Sequence, residues 1–183
     1  MRIKIEQYEK DVIVHYYNRT SQGRTLFYNF LDYEEFLRTL YHNTMTMGAN
    51  VHAYCLMPNH YHLLLQQTGE TPLYQILQRI MTSYAQHFNA RHNQYGKLFA
   101  SKLNGKIVNR DDYLYNLIMY IHLNPVSAKI VKRPEDYTYS DYNIWIGERV
   151  SDRPWDDQLR TYFFRNAQGY YQTVNEYLYR KNV

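Results

Sequence analysis

A chain of 183 residues is long enough for one domain with a real hydrophobic core, and its single cysteine, Cys55, excludes an internal disulfide framework. No apolar run approaches a membrane span, and the opening Met1-Arg2-Ile3-Lys4-Ile5-Glu6 lacks the apolar stretch of a signal peptide, so a cytoplasmic protein is expected. The formal net charge of +4 is modest but unevenly spread: no acidic residue stands between Glu70 and Asp111, a stretch carrying Arg79, Arg91, Lys97, Lys102, Lys106 and Arg110. Concentrated positive charge of this kind suits a phosphate backbone, although a solvated basic face without a partner has the same signature. The 22 tyrosines could stack on bases but serve equally as core or surface filler.

In chain order, Asp11 to Arg19 reads as a first strand, rich in β-branched and aromatic residues. Ser21-Gln22-Gly23-Arg24 is a loop. Asp32 to about Met47 reads as a helix, with Asp32 as N-cap, Glu35 three residues on and Gly48 after the last turn. Val51 to Met57 is a second strand, Pro58-Asn59 a turn, and His60 to Gln66 a third strand, so the two strands form a hairpin. Thr71 as N-cap and Pro72 at the first helical position open a long helix ending near Arg91. Its apolar positions Leu73, Ile76, Leu77, Ile80, Met81, Tyr84 and Phe88 recur at helical spacing. Leu103 to Asn109 is a fourth strand with Gly105 as a bulge or an edge position. Arg110 to about Leu123 is a further helix that Pro125 should stop. One or two short helices are expected between Arg160 and Asn182. The order predicts an α+β fold: a ferredoxin-like β-α-β-β-α-β unit, with an antiparallel four-stranded sheet and two helices on one face. The helix from Arg110 is then free to cross the open face. Residues 1–147 make up the expected main domain and 148–183 a C-terminal extension.

Two groups of residues carry chemistry. Side chains alternate along a strand, so His60 and His62 share a face while Tyr61, Leu63 and Leu65 take the other. Two imidazoles on one face are a platform for a divalent metal, but by spacing alone they could equally be a surface pair. On the helix from Arg110, Tyr120 and Asn124 are i, i+4 neighbours, so one surface spot can meet both. The phenol could be a nucleophile and the amide oxygen a metal ligand, or Tyr120 could pack and Asn124 cap the helix end. Tyr84 is a rival nucleophile, but its apolar spacing favours packing and Phe88 stands at its i+4 position.

Leu56-Met57-Pro58-Asn59-His60-Tyr61-His62-Leu63-Leu64 followed by Tyr120-Ile121-His122-Leu123-Asn124-Pro125 resembles the single-tyrosine HUH transposases of small bacterial insertion sequences, and most closely the REP-associated tyrosine transposases. The resemblance runs from about Val12 to Trp145 and takes in Tyr84 to Asn89, Gly96-Lys97-Leu98-Phe99 and Tyr113-Leu114. It implies that His60, His62 and Asn124 hold a divalent metal, Mg²⁺ or Mn²⁺, and that Tyr120 is the nucleophile. It implies cleavage and rejoining of single-stranded DNA beside a hairpin of REP or other palindromic type, through a 5′-phosphotyrosine. Arg19, Asn59, Arg91, Lys97, Lys102, Lys106 and Arg110 are expected DNA contacts. The protein is expected to act as a monomer or a homodimer. Three departures from the family pattern bear on DNA specificity: Lys102 near a usual arginine, Ser140-Asp141 in place of a serine pair, and Thr20 in place of a glycine. The alternatives are a domesticated relative that binds hairpin DNA or RNA without cutting, and a metal phosphodiesterase that uses water. The replication-initiator and relaxase branches share the chemistry, but relaxases usually place the tyrosine before the histidines.

Overall fold

The alternation seen in the sequence folds as four antiparallel strands: β1 (Ile13–Arg19), β2 (Ala49–Met57), β3 (His60–Gln67) and β4 (Asn104–Val108), in the order β2-β3-β1-β4. This is the strand order of the ferredoxin-like unit. The structure is a computed structural model and describes residues 10–21, 24–100 and 103–181. α1 (Phe30–Met47) and α2 (Leu73–His92) lie on one face of the sheet. Val14, Tyr16, Tyr61, Leu63 and Leu65 project into that layer and are buried with Phe36, Leu40, Ile76, Ile80 and Tyr84 of the helices. Tyr84 is part of this core, its hydroxyl donating to the Leu26 carbonyl at 2.6 Å, which removes it as a nucleophile.

The opposite face carries a second core. α3 (Asp111–Ser127) crosses it mainly above β2, burying Leu117, Ile118 and Ile121 against Ala53, Cys55 and Leu64. Beyond α3 come a short 3-10 turn at Pro134–Asp136, α4 (Tyr142–Trp145), α5 (Gln158–Phe164) and α6 (Ala167–Lys181). Trp145, Phe164, Tyr170 and Val174 from these segments join the second core. Where one or two short helices are expected there are two, α5 and α6, packed on the face that holds α3. Residues 139–141 also run along the outer edge of β2, with Leu56 N–H donating to the Tyr139 carbonyl at 2.9 Å. An open strand edge is thereby covered.

Three local expectations are corrected, and a fourth, open between a bulge and an edge at Gly105, is decided. α1 starts two residues earlier than Asp32, with Asn29 as its N-cap, and Asp32 sits inside the first turn. There the Asp32 carboxylate accepts the backbone N–H of Tyr28 (2.8 Å) and Asn29 (3.3 Å), two donors with no partner inside the helix. In α2, Pro72 is the N-cap and Leu73 the first helical residue. The irregular register lies in β2, between Val51 and Ala53, while Gly105 is an edge position in regular pairing with Tyr16. Finally, Pro125 does not stop α3, which continues to Ser127. A helical proline leaves the carbonyl four residues earlier without its N–H donor. Here Asn124 Nδ2 donates to the Tyr120 carbonyl (2.7 Å) and lies 3.4 Å from the Ile121 carbonyl, the one Pro125 cannot serve.

Two glycines distinguish strain from crowding. Gly48 ends α1 at φ +83°, and a Cβ there would lie 2.4 Å from the Gly69 Cα. Gly96 has φ +84° but open space around a Cβ. Gly48→Ala must therefore push two backbone segments apart and should cost more than about 2 kcal/mol, against about 1 kcal/mol for Gly96→Ala. Urea unfolding of the two variants checks the difference.

Candidate active site

The part of the second face that α3 covers less closely is lined by β1 and β3. In their antiparallel register Tyr17 lies opposite His62, His15 opposite Leu64 and Arg19 opposite His60. Alternation then places His15, Tyr17, His60 and His62 on one surface. The His60 and His62 rings stand edge to face with centroids 5.3 Å apart, and the His15 and His62 rings are stacked at 5.2 Å. Tyr120 reaches this group from α3: its ring is edge-on to His62 at 5.4 Å and to His15 at 6.4 Å. It remains 52% exposed, so the phenol can meet a ligand from solvent.

The imidazoles have defined partners. His60 Nδ1 donates to Asn59 Oδ1 at 2.7 Å, leaving its Nε2 for another ligand. His62 Nδ1 and His15 Nε2 are 3.0 Å apart, so one proton lies between two buried rings. Burial, followed by the charges of His15 and His60, lowers the His62 pKa to about 3. Burial and then Lys106 lower His15 to about 4, and burial lowers His60. All three are neutral at pH 7, the state in which imidazole offers a lone pair to a metal. The donor chemistry thus fits a divalent metal on His60 and His62. Asn124 turns its Nδ2 back to the carbonyls of its own helix, and its amide oxygen is the atom left over for a ligand. No group of three His, Cys, Asp or Glu side chains suited to a metal occurs among the described residues.

The expected DNA contacts fall into different surroundings. Arg19 is exposed at the end of β1. It lies beside the β2–β3 turn, where Thr20 N–H donates to the Asn59 carbonyl at 3.0 Å. Lys97 belongs to the same rim, since its carbonyl accepts from the Ser21 hydroxyl. Asn59 itself is engaged by His60. Arg91 donates to Asp32 at 3.0 Å, together with His92 at 2.9 Å, tying the end of α2 to the start of α1. Burial alone would raise the Asp32 carboxyl, but the bonds from His92, the Tyr28 amide and Arg91 outweigh it and hold the pKa below its ordinary value. Lys106 pairs in register with His15 and places its ammonium 4.0 Å over the Tyr113 ring. Arg110 pairs with Asp112 at the start of α3. Lys102 lies outside the described residues.

Two features escaped the sequence analysis. His15 lies in the first predicted strand, two places from Tyr17, and only the pairing of β1 with β3 makes it a neighbour of His62. His122, next but one to Tyr120, is fully buried: its Nε2 donates to Asp141 Oδ1 at 2.8 Å and its Nδ1 is 2.6 Å from the Tyr170 hydroxyl.

The chain matches the family model described as Transposase IS200 like over residues 9–122, well over half its length, including His60, His62 and Tyr120. A solved REP-associated tyrosine transposase bound to a REP hairpin superposes with a TM-score of 0.68 at 12% identity, over 84% of this chain and 90% of that one. A protein of Deinococcus radiodurans R1 described as a transposase aligns with a TM-score of 0.46 at 16% identity, over 63% of this chain and 92% of that one. No curated protein sequence matches.

The lowered imidazole pKa values have a consequence for stability. Unfolded histidines bind protons near pH 6.5, whereas folded His15 and His62 do so only near 4 and 3. Their contribution is therefore present above pH 6.5 and is lost as the pH falls towards 4, at up to about 1.4 kcal/mol per pH unit for each ring. Denaturant unfolding at a series of pH values should show this slope, and His15→Phe combined with His62→Leu should flatten it between pH 6.5 and 4.5.

Proposed function

Because the chain belongs to the IS200-like transposase family, we propose that it is a metal-dependent single-stranded DNA endonuclease and strand transferase that acts through Tyr120. The observation that carries this is the meeting of one strand and a helix: neutral His60 and His62 on one sheet face, with the exposed Tyr120 phenol against His62. His60 and His62, with Asn124 as third ligand, would hold Mg²⁺ or Mn²⁺. Such an ion supplies Lewis-acid polarisation of a scissile phosphate and stabilises its developing charge.

The chain's own residues do the rest. Tyr120 presents its hydroxyl from a helix whose inner face is locked in the second core, so its orientation is fixed before substrate arrives. Its oxygen attacks phosphorus as the phenolic proton passes to water, and the bond to the 3′ oxygen breaks, that oxygen taking up a proton from water. The products are a 5′-phosphotyrosine and a free 3′-hydroxyl. Reversal by another 3′-hydroxyl rejoins strands without a nucleotide cofactor, because the phosphoester bond is conserved in the adduct. Arg19 and Lys97 at the β2–β3 turn, with Lys106 on β4, would line the path of the phosphate backbone, joined by Lys102 and, where they can be freed from their partners, by Asn59, Arg91 and Arg110. The solved relative of the same fold is bound to a REP hairpin. A hairpin flanked by single-stranded DNA is accordingly the substrate class to offer.

The experiment is covalent trapping. Hairpin oligonucleotides with varied flanks, labelled at either end, are mixed with the protein and Mn²⁺ or EDTA and run on denaturing gels. A Mn²⁺-dependent adduct should form on the fragment 3′ of the cut. Tyr120→Phe should abolish it while hairpin binding persists, and His60→Ala or His62→Ala should reproduce the effect of EDTA. Cleavage that survives Tyr120→Phe without an adduct would point to a water-using phosphodiesterase, and tight binding without cleavage to a domesticated binder.

A further inference from the structure

The proposed reaction uses His60, His62 and Tyr120 but gives no part to the third imidazole beside them. We propose that His15 is a positioning residue: by accepting the Nδ1 proton of His62 on its own Nε2, it holds His62 in the tautomer whose Nε2 is bare for the metal. This deepens the reading of His60 and His62 as metal ligands and rests on it.

The argument is one of proton accounting. His15 Nε2 and His62 Nδ1 are 3.0 Å apart, and both side chains are buried. Neutral rings at that distance share one proton, so there are two arrangements. In one, His15 donates, the proton of His62 sits on Nε2, and that nitrogen cannot ligate. In the other, His62 donates from Nδ1 and its Nε2 carries a lone pair. Only the second is compatible with a metal on His62 Nε2, and His15 supplies the acceptor it requires. A partner on the far nitrogen commonly fixes both tautomer and ring orientation of a metal-bound histidine. His60 already has such a partner in Asn59 Oδ1 at 2.7 Å, and His15 gives His62 the equivalent support.

Position favours this role over direct ligation. The nitrogen that His15 could offer a metal is the one facing His62 Nδ1. His15 stands opposite Leu64 on the neighbouring strand, diagonal to His62, in a sheet interior where both backbones are held by ladder bonds. Its ring is stacked on His62 with planes 20° apart and flanked by Tyr17 at 5.2 Å, which restricts rotation of the pair. Ligand-orienting groups work best on such rigid elements.

The test compares wild type with His15→Phe, which keeps the ring volume and removes the acceptor, and His15→Gln, whose amide oxygen can accept from His62 Nδ1. Mn²⁺ affinity is read by electron paramagnetic resonance of the free ion, with His60→Ala as the control for the metal site. His15→Phe should weaken Mn²⁺ binding by about 10- to 100-fold, and His15→Gln should restore most of it. Nitrogen-15 correlation spectra of the metal-free wild type should show His62 protonated on Nδ1, a readout that needs neither metal nor a variant. Unchanged affinity in His15→Phe, equal loss in His15→Gln, or a proton on His62 Nε2 would overturn the inference while leaving the metal site standing. Wild-type protein that binds no Mn²⁺, or binds it unaffected by His60→Ala, would overturn the metal reading and this inference together.

Discussion

The carboxylate of Asp141 is the point at which the second face of this molecule is held together. It is fully buried and accepts the Tyr54 N–H from β2 at 2.8 Å, His122 Nε2 from α3 at 2.8 Å and Trp145 Nε1 from α4 at 3.2 Å. Through His122 the network extends to the Tyr170 hydroxyl on α6. A buried carboxylate is tolerated because its oxygens are satisfied, and removing one partner of such a pair typically costs about 3–5 kcal/mol. A sheet edge and two helices thus meet on one side chain, and α6 joins them through His122. Tyr120 stands two residues from His122, so the same bonds that fix α3 over β2 fix where the phenol emerges.

That anchoring explains the shape of the site. α1 and α2 cover one sheet face, whereas α3 is drawn to β2 and leaves the β1 and β3 side partly open. The open part is where the strand pairing gathers His15, Tyr17, His60 and His62. Burial is deep enough there to keep the imidazoles unprotonated, yet shallow enough to leave Tyr120 half-exposed. Neutral imidazoles and an accessible phenol require both conditions at once. Asp141 also belongs to the Ser140-Asp141 step, one of the places where the sequence departs from the family pattern, so this departure sits in the scaffold behind Tyr120.

The basic stretch between Glu70 and Asp111 shows how charge counted along a chain differs from charge presented by a fold. Arg91 is bound to Asp32, a carboxylate more than fifty residues away in sequence, and Arg110 to its neighbour Asp112. Lys106 faces an aromatic ring. Arg19, outside that stretch, reaches the His60 rim because β1 ends there. A carboxylate-free window therefore does not tell which cations face outward, since their partners come from elements that composition cannot bring together.

Periodicity and turn chemistry determined much by themselves: the order of strands and helices, the ferredoxin-like sheet, the shared face of His60 and His62, and the i, i+4 placement of Tyr120 and Asn124. These depend on local geometry, the two-residue repeat of a strand and the 3.6-residue repeat of a helix, which neighbours in sequence fix. Boundaries were less legible where a side chain could replace a missing backbone bond, as Asn124 does at Pro125 and Asp32 does before α1. What only the tertiary structure decided are the long-range pairings: His15 with His62, His122 with Asp141 and Tyr170, and Arg91 with Asp32. Each joins residues separated by 19 to 59 positions, and nothing in the local sequence of either partner specifies strand register or the seat of α3. Those follow from the simultaneous burial of two cores, one on each face of the sheet.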